Sequence, residues 1–197
     1  MEDVIRAFHF SDLYMLYRIC LLTGADGEDA SGTIDNEILG HYFAAPYAVL
    51  EPERCHVLTV NGAPAGYILG TGHSTDFALR CESSWWPQLR DKYSVPLDED
   101  QSREAILIRA IHRGYEAPAC AKEYPAHLHI DLLPEAQGRG NGSRLITKFI
   151  KNLKQLKIPG LHLGVSKGNS RALAWYPKFG FEVVEETDSE VTFGLRL

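Results

Sequence analysis

The sequence lacks a basic cluster. Its 20 Lys and Arg are outnumbered by 26 Asp and Glu, for a net charge of −6 at pH 7, and they are spread too thinly for the electrostatic footprint that nucleic-acid binding requires. Nucleic acid is therefore not an expected partner. Long apolar runs are also missing, so no stretch approaches the ~20 residues of a membrane span. Met1-Glu2-Asp3 is acidic where a secretory signal starts basic and then turns apolar. These absences predict a cytoplasmic chain with no membrane partner. The four cysteines, Cys20, Cys55, Cys81 and Cys120, include no close pair, which removes the common zinc and dithiol motifs and leaves reduced, mostly buried thiols. No repeat or low-complexity segment is present. The one acidic, glycine-rich stretch, 25–32, does not set oxygen ligands at the alternate positions and distal Glu of a calcium loop. It reads instead as a mobile, solvated loop over a substrate entrance, and no metal is expected.

What the chain does contain suffices for one core: 197 residues, 45% of them apolar, fit a single domain, 1–197. Residues 4–8 read as a strand, followed by an N-cap at Ser11-Asp12 and a helix with Leu13, Leu16, Tyr17, Cys20 and Leu21 at helical spacing, ending at Thr23-Gly24. A short helix over 35–43 and an irregular connection over 46–53 lead to a strand over 55–60. Asn61-Gly62 then specifies a type I′ hairpin, because both central residues of that turn need positive φ, and 65–70 is the returning strand. From 74 to about 115 the spacing turns helical, split at Val95-Pro96, so a pair of helices is inserted at about 74–120. Trp85-Trp86 reads there as packing. A strand over 124–132 ends before Pro134, an apolar helical stripe runs from Leu145 to Leu156, and 161–165 is a buried strand. Asn169-Ser170 opens a last helix that stops at Gly180, and 181–186 and 190–197 close the chain as strands.

Chemistry concentrates between strand 124–132 and the helix after it. Gln137-Gly138-Arg139-Gly140-Asn141-Gly142-Ser143 places three glycines at alternate positions in front of a helix start. Such a loop bends tightly and turns several N–H groups toward one point, where the positive end of the helix also lies; that geometry suits a pyrophosphate. A glycine loop by itself is equally compatible with a plain turn.

Two blocks break that tie. Gln137-Gly138-Arg139-Gly140-Asn141-Gly142 and Asn169-x-x-Ala172-x-x-x-Tyr176-x-Lys178-x-Gly180-Phe181 together resemble the GNAT family of N-acetyltransferases. More narrowly, His129-Ile130-Asp131, the insertion and Tyr17-Arg18-Ile19-Cys20 with its acidic loop resemble the acetyltransferase-like C-terminal domain of O-GlcNAc hydrolases and its free-standing bacterial relatives. The resemblance implies an α/β (α+β) GNAT fold: a mixed, mostly antiparallel twisted sheet, helices on both faces, and acetyl-CoA wedged between two splayed strands. It implies that the backbone from Arg139 to Ser143 holds the pyrophosphate, that the Leu132 backbone holds the pantetheine and acetyl carbonyl, and that Asn169 contacts the pantetheine arm. Tyr176 matches the family tyrosine that faces the sulfur, the candidate general acid. In the animal domain the glycine loop is degraded, whereas here it is intact, which favours cofactor binding.

The expected function is transfer of an acetyl group from acetyl-CoA directly to an amine, a small amine or a lysine side chain; the alternative is an inactive CoA- or peptide-binding module on the same fold. Transfer needs a base for the amine. His127, His129 and Asp131 alternate with Leu128, Ile130 and Leu132, so an ideal strand sets all three on one face, although a bulge would swap them. Asp131 is the member the resemblance favours, followed by His129; for both histidines a buried, hydrogen-bonded imidazole is the competing reading. The acceptor and the oligomeric state stay open at this level.

Overall fold

The computed structural model describes residues 3–197. Seven strands form one sheet, in the order β1-β2-β3-β4-β5-β7-β6: β1 (Val4–Ala7), β2 (His56–Val60), β3 (Ala63–Thr71), β4 (Ala126–Leu132), β5 (Gly160–Ser166), β6 (Glu182–Glu186) and β7 (Glu190–Arg196). All neighbours pair antiparallel except β4 and β5, which run parallel. Among the described residues eight α-helices connect them: α1 (Leu13–Leu22), α2 (Ile38–Phe43), α3 (Ala45–Leu50), α4 (Ser74–Ser84), α5 (Trp86–Lys92), α6 (Arg103–Arg113), α7 (Asn141–Gln155) and α8 (Ser170–Trp175). The expected mixed sheet is present, and α1 and α7 pack on opposite faces of it, since strand residues alternate sides. On β3, Tyr67 faces α1, whereas a side chain at Gly70 would run into Phe149 of α7.

Local signals account for most elements. The β2–β3 hairpin turns on Asn61 and Gly62, with φ of 52° and 85°, as the type I′ reading requires. On α7, Leu145, Ile146, Phe149 and Leu153 recur at spacings of three and four and are all buried; fully burying four such side chains is worth roughly 1.5–3 kcal/mol each. That anchors the helix whose N-terminus meets the glycine loop.

Four local expectations are corrected. The 46–53 connection is helix α3 followed by a short 3-10 turn, Pro52–Arg54. Pro46 sits in the first helical turn, where its missing N–H costs nothing. Because Ala45, Pro46, Tyr47 and Ala48 are all buried, the helix shows no polar face and hence no amphipathic signature. Asp12 does not cap α1 with its side chain. It is buried, accepts the His9 N–H at 2.9 Å and takes a forked pair of bonds from Arg6 at 2.6 and 2.7 Å, and that Arg6 hydrogen bond, more than any other influence, holds its carboxyl below the ordinary value. The insertion holds three helices, because the chain breaks at Trp85 with Pro87 in the first turn of α5. Within it Leu79 is exposed, whereas Trp86 is buried against Tyr42, ring centroids 5.4 Å apart. Finally, 25–32 is no loose excursion: Ala25 and Glu28 exchange two main-chain bonds of 2.9 Å, and the Gly27 N–H reaches the Thr23 carbonyl at 3.0 Å.

Candidate active site

The site exists because β4 and β5 part. They pair only at Ala126 with Leu161 and His127 with His162, yet β4 runs on to Leu132 and β5 to Ser166. Beyond His127 the edge of β4 facing β5 keeps its main-chain groups unpaired in the sheet, and buried polar groups of that kind need partners from elsewhere. Two cavities open at this splay. One, of about 920 Å³, is lined by the glycine loop, Leu132, Asn169, Arg171 and Trp175. The other, of about 530 Å³, extends under α2, α3 and α4. Asp131 and Tyr176 line both.

At the glycine-loop end, Gly138 and Gly140 both take φ of 74°, a left-handed conformation that costs L-residues with side chains about 1–2 kcal/mol. Gly140 stands immediately before α7. From Gly138 to Ser143 no N–H meets a main-chain acceptor among the described residues, while Gln137 and Arg144 on either side bond to Pro134 and Gly140. A row of free donors at the positive end of a 15-residue helix is an anion cradle. Gly142 has a different reason: a methyl there would stand 3.1 Å from Trp175.

The side chains of this loop face elsewhere. Asn141 is buried and bonds to Asp3 at 2.7 Å and to the Ala136 carbonyl at 3.0 Å; Arg139 pairs with Asp3 at 3.5 Å. Gln137 donates to the Leu132 carbonyl at 2.7 Å and accepts from Arg171. Leu132 therefore has a free N–H to offer a ligand, whereas its carbonyl already accepts one bond. Asn169 caps α8, its side-chain oxygen accepting the Ala172 N–H at 3.0 Å, so what it presents is its amide NH₂, which lies against Gly27.

At the other end the strand alternation holds. The register of β4 on β3 is continuous from His127 to Leu132, with no bulge, so His127, His129 and Asp131 share a face. The Asp131 carboxylate accepts from the Tyr67 hydroxyl at 2.5 Å. Desolvation raises it to about 6, against the opposing pull of the hydrogen bond from Tyr67. Burial, with a smaller contribution from the other histidines, drives His127 well below its ordinary value and His129 down to about 4; both rings are neutral at pH 7. Tyr176 has its hydroxyl pKa raised by burial and then by Asp131, and among the described residues that hydroxyl bonds to no protein group. Besides Asp131, the smaller cavity is lined by Asp26, Glu116 and Glu190, with Arg103 as its one Arg or Lys among the described residues; Arg103 donates to the Gly24 carbonyl. Of the carboxylates in the acidic loop, Asp26 and Glu28 reach the cavities, whereas Asp29 bonds to the Ser31 N–H at 2.7 Å.

Sequence reasoning missed Thr23, Tyr47 and Tyr67. Tyr67 lies opposite Asp131 in the register of β3 on β4, a pairing only the assembled sheet reveals, and Tyr47 sits in the helix that had no signature. Among the described residues no cluster of His, Cys, Asp and Glu has the makings of a metal site, and no helix is long and apolar enough to cross a membrane.

The chain is similar along its whole length to the crystal structure of SsHAT: TM-score 0.92 and 30% identity, covering 100% of this chain and 98% of that one. A likeness of fold alone links it to the PaiA N-acetyltransferase of Thermoplasma acidophilum, solved in complex with coenzyme A: TM-score 0.60, 16% identity, 100% of each chain covered. Protein O-GlcNAcase of Rattus norvegicus is 24% identical over 185 residues, 92% of this chain but 20% of that protein; the chain spans about a fifth of that relative's length. S-alkylcysteine N-acetyltransferase of Bacillus subtilis (strain 168) is 27% identical over 126 residues, 57% of this chain and 70% of that protein. The model of the acetyltransferase (GNAT) family matches residues 27–181. That match takes in the glycine loop, the splay and Tyr176 together, and the chain belongs to the acetyltransferase (GNAT) family.

Proposed function

We propose that this protein is an acetyl-CoA-dependent N-acetyltransferase that acts on a cationic amine by direct transfer. The observation that carries the reading is that Asp131 and Tyr176 stand on the shared wall of the two cavities, with a row of free N–H donors at one end and an acidic pocket at the other. The residues fit acetyl-CoA: the N–H groups from Gly138 to Ser143 would hold its pyrophosphate, and the Asn169 amide and Leu132 N–H its pantetheine arm. When bound, acetyl-CoA supplies an acyl thioester, which is activated toward amines.

The remaining work falls to the chain. An amine attacks only when neutral, so a proton must leave the ammonium first. Asp131, raised to about 6 by desolvation, is ionised at pH 7 and still basic enough to take that proton, a match that general-base catalysis favours. Tyr67, by donating to the same carboxylate, orients it. Tyr176 holds a proton on its hydroxyl at all physiological pH, and so is a source for the departing thiolate. Asp26, Glu116 and Glu190 favour a cationic acceptor over an anionic one, a small amine or a lysine side chain.

Titration with acetyl-CoA, followed by thiol release with a panel of amines, tests this directly. Binding and release with cationic amines are expected. Binding with no acetylation across the panel would instead identify a CoA-binding module, and failure to bind would remove the role given to the glycine loop.

A further inference from the structure

A chain of buried polar groups leads from the acceptor pocket into the core. The Tyr47 hydroxyl lies 3.1 Å from His129 Nε2 and 2.7 Å from His127 Nε2. On the far side of His127, Nδ1 lies 2.6 Å from the Ser74 hydroxyl, which itself lies 2.7 Å from the Pro125 carbonyl. Each of these contacts is within hydrogen-bonding distance, and the order of donors along the chain follows from its last member.

Two oxygens 2.7 Å apart need a hydrogen between them, and a carbonyl has none, so Ser74 donates to Pro125. With its one proton used, the Ser74 oxygen can only accept, and His127 must carry its hydrogen on Nδ1. The Tyr115 hydroxyl, 3.3 Å from the same nitrogen, is a second acceptor for it. A neutral ring protonated on Nδ1 has a lone pair on Nε2, which takes the Tyr47 hydroxyl proton. Tyr47 is left with an acceptor oxygen, and the remaining neighbour, His129 Nε2, must donate to it. His129 is therefore the Nε2–H tautomer, with Nδ1 unprotonated and bonded to no protein group among the described residues.

We infer that Tyr47 is a positioning residue that locks His129 in the Nε2–H tautomer and so leaves its Nδ1 as a hydrogen-bond acceptor for the amine that occupies the pocket beside Asp131. Orientation of an imidazole through the nitrogen that does not react is how second groups commonly set histidine chemistry. In this arrangement His129 Nδ1 receives one amine N–H while Asp131, two residues along the same face, takes the proton. The catalytic consequence rests on the N-acetyltransferase reading, but the tautomer does not.

The test is ¹H–¹⁵N long-range correlation on protein labelled with ¹⁵N-histidine, near pH 8, which reports each ring's tautomer. The wild type should show Nδ1–H at His127 and Nε2–H at His129. Tyr47→Phe keeps the ring that stacks on Phe77 at 4.4 Å and should fold, yet leave His129 a tautomer mixture. Ser74→Ala removes the acceptor that sets the direction and should disturb both rings, including His129, which it does not touch. An Nδ1–H signal for His129 in the wild type, or an unchanged His129 in both variants, would overturn the inference. Tyr47→Phe should also lower kcat/KM for the amine about tenfold with acetyl-CoA affinity unchanged. Equal kcat/KM alongside an altered tautomer would refute the catalytic consequence alone, and a wild type inert toward every amine would count against the transferase reading and leave the tautomer assignment intact.

Discussion

Asp131→Asn should stabilise the protein while stopping its chemistry. The folded structure raises the Asp131 carboxyl from 3.8 to about 6, so between those values the folded protein holds a proton that the unfolded chain has released. Stability therefore falls as pH rises through that window, and the loss is complete above about pH 6. At ~1.4 kcal/mol per pH unit, the cost of keeping the ionised carboxylate in the cleft is about 3 kcal/mol. An amide of the same shape escapes that cost and still accepts from Tyr67, but its two new hydrogens need acceptors, a liability of about 1–2 kcal/mol. The expected net gain near pH 8 is about 1–2 kcal/mol, a rise in Tm of roughly 2–8 °C for a chain of this size. Calorimetry at several pH values checks it. The gain should shrink below pH 6, vanish near pH 5 and become a loss of about 1–2 kcal/mol below pH 3, where the wild-type carboxyl is protonated in both states and only the amide's unpaired hydrogens count. A gain of constant size, or a loss at pH 8, would refute the idea that a desolvated carboxylate strains the site, whatever happens to activity. Transfer by the same variant should fall about a hundredfold or more.

Four further outcomes follow from the same geometry. In the wild type, kcat/KM should lose about a factor of ten per pH unit below pH 6, where Asp131 takes up a proton; a flat profile down to pH 5 would exclude it as the base. Tyr176→Phe should slow transfer by about 10²-fold with the Kd for acetyl-CoA unchanged by calorimetry, and parallel losses in both would mean that the tyrosine only packs. Gly70→Ala should cost about 2–3 kcal/mol or more in urea unfolding, because its methyl would enter the space of the His127 carbonyl and the Phe149 ring. Gly140→Ala meets no atom within 4 Å but sits at φ 74°; it should cost about 1–2 kcal/mol and weaken acetyl-CoA binding, and unchanged binding would argue that the loop's N–H groups do not hold the pyrophosphate.

Much of the site could be read from the chain alone, for reasons that particular residues make plain. Gly138 and Gly140 advertise a bend before a helix, and Asn61-Gly62 a turn, because those conformations exclude most side chains. The alternation of His127, His129 and Asp131 put all three on one face because a strand has period two and no bulge intervened. Tyr47 had no such signal. It belongs to a helix whose first four residues are all buried and whose exposed residue is the apolar Val49, so the polar face that reveals most helices is missing, and its partner His127 lies 80 positions away.

By itself the sequence determined whatever is decided within a few residues: the glycine loop at the head of α7, the Asn169 cap of α8, the Asn61-Gly62 turn, the apolar stripe from Leu145 to Leu153, and the motif that marks the family. Only the tertiary structure decided which of those groups are free to act. It turned the side chains of Asn141 and Gln137 inward and left the N–H groups outward, parted β4 from β5 after one short run of pairing, desolvated Asp131, and set the direction of the hydrogen bonds that end on Pro125. The physical reason is that a residue's conformation depends on its neighbours in sequence, whereas its hydration, its partners and hence its proton affinity depend on whatever the fold packs against it.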